Sequence, residues 1–260
     1  MTAADRLDEY MARPSAPPGL EVLAAIRSPI KPEQALALSD IDRLLDPSPL
    51  ETETGWCLLP DGIGYVAVRT PMPGTTAAMW DWWFDWHQRD PARYRVWCPE
   101  AHFGISFTPP RRPGRKAFWG ATHFPEEDVG AGREVIRIDL KAPSEYGFST
   151  DALEDPNVGT IVGGLAGSPS RHMQHTVMTH VFLQDPDGLV LRSRFWLGAA
   201  IRPYLPGPMA DTLGYLINRP AFRRRLPLGE VPRPLAHHCA VEYARLAALL
   251  PELHERFAAS

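Results

Sequence analysis

The chain has 260 residues, 44% of them hydrophobic and 22% charged, with a formal net charge of −4. That is globular composition, long enough to bury a core and still enclose a ligand cavity. The acidic balance offers no electrostatic basis for binding nucleic acid or an anionic membrane, and no apolar run approaches membrane-spanning length. The three cysteines, Cys57, Cys98 and Cys239, are far apart and form no CxxC pair, which argues against a disulfide scaffold. The acidic start Met1–Tyr10 has no basic, apolar secretory pattern. A soluble, cytoplasmic protein is the expectation.

Residues 1–55 read as a small helical N-terminal region, with amphipathic stretches at Ala3–Met11 and Pro32–Leu45 around a proline-rich break. Residues 56–260 read as the main domain. Gly55–Leu59 and Gly62–Arg69 predict a hairpin across Pro60-Asp61-Gly62. Thr76–His87 predicts a helix dense in tryptophan, carrying Trp80, Trp82, Trp83 and Trp86. The runs His102–Phe107, Lys116–His123, Glu134–Lys141, Gln174–Gln184 and Leu189–Leu197 predict strands, because each is β-branched or aromatic and bounded by Pro, Gly or Asp. The last two pair as a hairpin at Asp185–Gly188. Pro208–Asn218 predicts a short helix and Ala236–Ala258 a long one, with Val241, Leu246, Leu249, Leu250 and Leu253 at helical spacing. Antiparallel strands followed by one long helix make an α+β class, since a doubly wound sheet would alternate strand and helix.

Chemistry concentrates first on the long helix. His238 and Glu242 are four residues apart, so both project from one face with Cβ atoms about 5–6 Å apart. One metal ion can bridge that spacing, and a buried ionised Glu requires a compensating cation. Further ligands would come from strands facing the helix. Spacing leaves His87, His102, His123, Glu126, Glu127, His172, His175 and His180 as candidates. No G-x-S-x-G elbow and no phosphate-binding glycine loop are present.

The ordered set Trp86-His87, Asp90-Pro91-x-Arg93-Tyr94-x-x-Trp97-x-Pro99-Glu100-x-His102, Gly120-x-Thr122-His123-x-x-x-Glu127, Arg192-Ser193-Arg194-Phe195-Trp196 and His237-His238-x-x-x-Glu242 resembles the diacetylphloroglucinol and phloretin hydrolase family over most of residues 75–245. The resemblance implies a Bet v 1-like helix-grip fold, a curved antiparallel sheet around the long C-terminal helix. It also implies zinc-dependent hydrolysis of the bond between a phenolic ring carbon and a ketone carbonyl. Carried over by position, it implies His102, Glu127, His238 and Glu242 as zinc ligands, with Glu126 the one-residue alternative to Glu127. His180 becomes the proton donor, expected to titrate near operating pH, and Tyr94 the substrate-side tyrosine. Phe195, Trp83 and Trp196 are expected to line the substrate. Two positions depart from the family pattern: Phe195 stands where a tyrosine is expected, and Phe103, Gly104 and Ile105 supply no amide after His102. Both losses point to a less hydroxylated substrate. The expected partner is a small aromatic ketone, with a homodimer through the N-terminal segment as the candidate assembly. The competing readings are a non-catalytic carrier of apolar aromatics and a metal-assisted acyltransferase or esterase on the same site.

Overall fold

The computed structural model describes residues 3–111, 114–226 and 230–259; Met1 and Thr2, at the acidic start, lie outside them. Nine strands join in one antiparallel sheet: β1 (Gly55–Leu58), β2 (Gly64–Pro73), β3 (His102–Thr108), β4 (Thr122–Asp128), β5 (Arg133–Val135), β6 (Arg137–Leu140), β7 (Val158–Ser168), β8 (Met173–Asp185) and β9 (Gly188–Pro203). Their order is β1-β2-β9-β8-β7-β6-β4-β3, with β5 alongside β4. The helices are α1 (Ala3–Met11), α2 (Leu20–Ala25), α3 (Ala77–Trp86), α4 (Pro91–Trp97), α5 (Gly207–Ile217), α6 (Pro220–Arg223) and α7 (Pro232–Phe257). Sheet and long helix together form the α+β helix-grip architecture expected.

The hairpin of β8 and β9 turns at Asp185–Gly188, where Gly188 has φ +146° and a Cβ would lie 2.7 Å from the Met72 carbonyl oxygen. Only glycine meets both conditions. Side chains alternate across the sheet with period 2. On β9, Leu189, Leu191, Phe195 and Leu197 therefore face the core built on α7, where Ala236, Ala240, Tyr243, Leu246, Leu250 and Leu253 are buried. Val190 and Trp196 face the opposite side, where Leu36, Ile41, Leu44 and Leu45 cover the sheet. That cover is two short 3-10 turns, Pro32–Gln34 and Leu38–Leu44, rather than the amphipathic helix expected over Pro32–Leu45.

Three other differences matter for the site. The strand expected at Lys116–His123 starts later, at Thr122, because Phe118–Ala121 closes a turn through Gly120 at φ +81°. Its shift to Thr122–Asp128 brings Glu127 into the sheet. Strand β7 was not anticipated, since its glycines carry no β-propensity. At Gly163 a Cβ would fall 2.5 Å from both the Met178 carbonyl oxygen and the Tyr146 hydroxyl. Helix α4 is the third, although it carries a start signal: the Asp90 carboxylate accepts from Ala92 N at 2.8 Å and Pro91 takes the first position.

Candidate metal centre and its cavity

Strand register assembles half of the centre. His102 on β3 is the cross-strand partner of Glu127 on β4, a pairing that brings Cβ atoms to about 5 Å on one face. A bulge follows immediately, between His102 and Gly104. Along β4 burial alternates, so His123, Pro125 and Glu127 face inward while Glu126 faces out and pairs with Arg133 at 2.9 Å. The choice between neighbouring glutamates follows from that alternation. The other half comes from α7, where His238 and Glu242 share a face one turn apart.

The donor atoms converge. His102 Nε2 lies 3.3 Å from Glu127 Oε2 and 3.5 Å from Glu242 Oε2, and His238 Nε2 lies 3.6 and 3.8 Å from the same two oxygens. His102, Glu127 and His238 close into a mutual group within 4.8 Å, and Glu242 approaches both imidazoles from the helix. Nitrogen and oxygen ligands about 2.0–2.2 Å from a tetrahedral zinc stand roughly 3.3–3.6 Å apart. His102 is fully buried, and its Nε2 makes no hydrogen bond. It is close to two carboxylates but not aimed along either, as a metal ligand would be. These residues fit a cation of zinc's preferences.

The electrostatics agree with that geometry. Burial alone would lower the His102 pKa, but the facing carboxylates raise it to about 9. Burial would raise the Glu127 pKa, but His102 and His238 pull it well below the carboxylate range. His238 is raised too, its burial outweighed by Glu242 and Glu127. A carboxylate such as Glu127, held ionised in the interior, needs positive charge beside it, which protons on the two imidazoles supply and a bound cation would supply in their place.

The surrounding shell fixes the ligands. His102 Nδ1 donates to the Tyr94 carbonyl at 3.4 Å, leaving Nε2 for the centre. The Tyr94 ring stacks on the His102 ring at 4.2 Å and 3° between planes. Its hydroxyl donates to Glu127 Oε2 at 2.8 Å. Tyr94, the tyrosine expected on the substrate side, lines the cavity with its hydroxyl engaged by the Glu127 carboxylate.

The centre forms one wall of a cavity of about 170 Å³, mostly apolar, which His180, Phe195, Met178, Ile105 and Leu140 also line. His180 on β8 is the register partner of Ser193 on β9, and its Nδ1 lies 2.9 Å from the Ser193 hydroxyl. Burial holds its pKa down to about 3. Contrary to the expectation of a group titrating near operating pH, the imidazole rests neutral.

Trp83 and Trp196 do not line the cavity. Trp83 is packed among Trp86, His87 and Trp97 in the core. Trp196 lies on the far sheet face by strand alternation, its Nε1 donating to the Leu36 carbonyl at 2.8 Å. The motif Arg192–Trp196 thus divides. Phe195 lines the cavity and Ser193, on the same face, holds His180, while Arg192, Arg194 and Trp196 clamp residues 36–53. His87 and His123 also line the cavity, and neither joins the metal group; in the sequence both are open ligand candidates and lie in segments that carry the family resemblance.

Residues 36–255 match the model of the family described as DAPG hydrolase, PhiG domain. The chain is 31% identical over 229 residues to the 2,4-diacetylphloroglucinol hydrolase of Pseudomonas protegens, covering 85% of this chain and 74% of that one. It is 29% identical over 255 residues to the phloretin hydrolase of Eubacterium ramulus, covering 95% and 88%. Among solved structures, major latex-like protein 151 of Panax ginseng matches with TM-score 0.34 and 13% identity over 64% of this chain and 99% of that one. That likeness is too distant to inform the site.

Proposed function

The chain belongs to the DAPG hydrolase PhiG domain family, and on that premise we propose that it is a zinc-dependent hydrolase cleaving the carbon–carbon bond between an acyl group and a phenolic ring. The observation that carries the metal assignment is the mutual group of His102, Glu127 and His238, with the Glu127 and Glu242 carboxylates 3.3–3.8 Å from the two imidazoles and His102 Nε2 buried without a hydrogen bond, beside a cavity. His102, Glu127, His238 and Glu242 would hold the ion. When bound, zinc supplies Lewis acidity toward the acyl carbonyl oxygen and toward water.

The net reaction adds water across the ring–acyl bond. The ring carbon gains a proton, the water oxygen bonds to the acyl carbon, and the ring–acyl pair of electrons leaves with the ring. A neutral imidazole has to take a proton before giving one. His180 therefore accepts the proton of a ring hydroxyl and returns it to the acyl-bearing ring carbon, making the non-aromatic ketone that can release an acyl group. Ser193 fixes the imidazole through Nδ1. Tyr94 is a positioning residue: it orients Glu127 and stacks on His102. Phe195 offers the ring an apolar wall.

A non-catalytic carrier would need the apolar cavity but has no use for two carboxylates buried at its wall. No helix among the described residues is long and apolar enough to cross a membrane. The test is zinc quantification combined with an assay on acylated phenols, with and without chelator. The expected result is about one zinc per chain and release of the deacylated ring together with a free carboxylic acid, abolished by chelation. Absence of zinc would return the carrier, and ester or acyl-transfer products without carbon–carbon cleavage would return the esterase or acyltransferase.

A further inference from the structure

Among the histidines outside the metal group that line the same cavity are His87 and His123, and the chemistry of their partners decides which of their nitrogens carries hydrogen. His87 Nδ1 lies 2.7 Å from the Trp83 carbonyl oxygen. A carbonyl only accepts, so Nδ1 bears the hydrogen and Nε2 is a bare lone pair. His123 Nε2 lies 2.7 Å from Gln88 Oε1. The Gln88 amide is oriented from its other end, where Nε2 donates to Asp85 Oδ1 at 3.1 Å. Asp85 in turn takes both its oxygens to the Arg89 guanidinium at 2.8 and 2.9 Å, so it is an acceptor only. The oxygen of Gln88 therefore faces His123, which donates from Nε2 and keeps Nδ1 as a lone pair.

The two rings meet edge to face at 5.8 Å. Among the described residues, neither His87 Nε2 nor His123 Nδ1 makes a hydrogen bond, and neither is sealed from open space. Both side chains are almost wholly buried, at 1% and 4% exposure. Burial, with each ring opposing charge on the other at His87, keeps both neutral, at about 3 for His87 and about 4 for His123. A lone pair that opens on a mostly apolar cavity with no protein donor is a place where a ligand's donor makes a hydrogen bond. His123 shares the inward face of β4 with Glu127 four residues on, which separates them by roughly 13 Å along the strand.

Resting on the hydrolase reading for the identity of the reacting end, we propose that His123 Nδ1, beside His87 Nε2, is the acceptor of a distal subsite that takes the single hydrogen of a neutral hydroxyl on the part of the substrate remote from the scissile bond. Two lone pairs in an apolar wall attract an O–H and repel a carboxylate, so the subsite selects an uncharged donor. The arrangement offsets the hydroxyl contact absent at Phe195 by placing a polar contact elsewhere in the cavity.

Tryptophan-fluorescence titration of the purified protein tests this with three probes that have no ketone: 1,3-diphenylpropane, 4-(3-phenylpropyl)phenol and 4-(3-phenylpropyl)benzoate. The phenol should bind at least about tenfold more tightly than the other two, since a site built for a hydroxyl discriminates against its absence. That preference should vanish in His123→Leu and return in part in His123→Asn, which restores an acceptor near Nδ1. Equal affinity for the phenol and its parent in the unmodified protein, tighter binding of the benzoate, or a preference that survives His123→Leu would each overturn the proposal. Should His123→Leu fail to fold, the three-probe comparison on the unmodified protein still decides. Because no probe can be hydrolysed, failure to find carbon–carbon hydrolysis would overturn the function and leave this result standing on its own.

Discussion

His102 has one nitrogen tied to a backbone carbonyl and the other buried without a partner, so its replacement should remove the metal rather than merely loosen the fold. In His102→Ala, zinc content after dialysis should fall toward zero, measured beside the unmodified chain by metal analysis. Tyr94 acts one step further out. Its hydroxyl reaches only Glu127, and loss of such an outer partner typically costs 10–100-fold in metal affinity. Tyr94→Phe should therefore weaken zinc binding by about that factor in a competition assay with a chromophoric chelator, with the ring stack on His102 retained. His180 is separate from the ligands. His180→Ala should keep its zinc and lose about 10²-fold or more in turnover; a variant with unchanged turnover would remove His180 from the proton path.

At the scale of elements, the sheet faces explain which site residues were legible. The pair His238 and Glu242 follows from helical spacing in the sequence alone, and the α7 geometry bears out their shared face. Glu127 does not follow from spacing, because the choice between Glu126 and Glu127 depends on where β4 begins, and the turn at Phe118–Ala121 sets that start. Trp83 and Trp196 misled for a related reason. Aromatic density marks buried surface, but only strand parity and helix rotation decide whether it faces a cavity or a core. His87 and His123 lie in resemblance-bearing segments that give them no role; their tautomers depend on the Trp83 carbonyl for the first and on Gln88 and Asp85 for the second, partners that the motif does not advertise. The second face of the sheet makes its own prediction. Arg192 is 2% exposed and ties Glu53 at 2.6 Å and the carbonyls of Leu44 and Ser48 to β9. Arg192→Met strands those groups and should cost about 3 kcal/mol, seen as a lower urea midpoint. Zinc content should not change, because the proposed metal site lies on the other face of the sheet.

At the scale of the whole molecule, the interior holds several histidines that resist protonation. Burial lowers His87 to about 3, His123 to about 4, His175 to about 4 and His180 to about 3. In the unfolded chain the same groups titrate near 6.5. Below that value the unfolded state binds protons that the folded state refuses at these four groups, so their contribution to stability is complete above pH 6.5 and is lost as the pH falls toward 4, opposite in sign to that of the raised His102 and His238. Each such group contributes a slope of up to about 1.4 kcal/mol per pH unit. Between pH 6.5 and 5 ordinary carboxylates are still mostly ionised in both states, so that interval isolates the histidines. The free energy of urea unfolding, followed across it, should fall steeply, and the fall should lessen by about one proton in His180→Asn. Comparing slopes rather than absolute stabilities separates proton linkage from any packing loss that the substitution brings. A flat profile from pH 6.5 to 5 would mean that these imidazoles accept protons in the folded protein. It would also remove the basis for starting the reaction from a neutral His180.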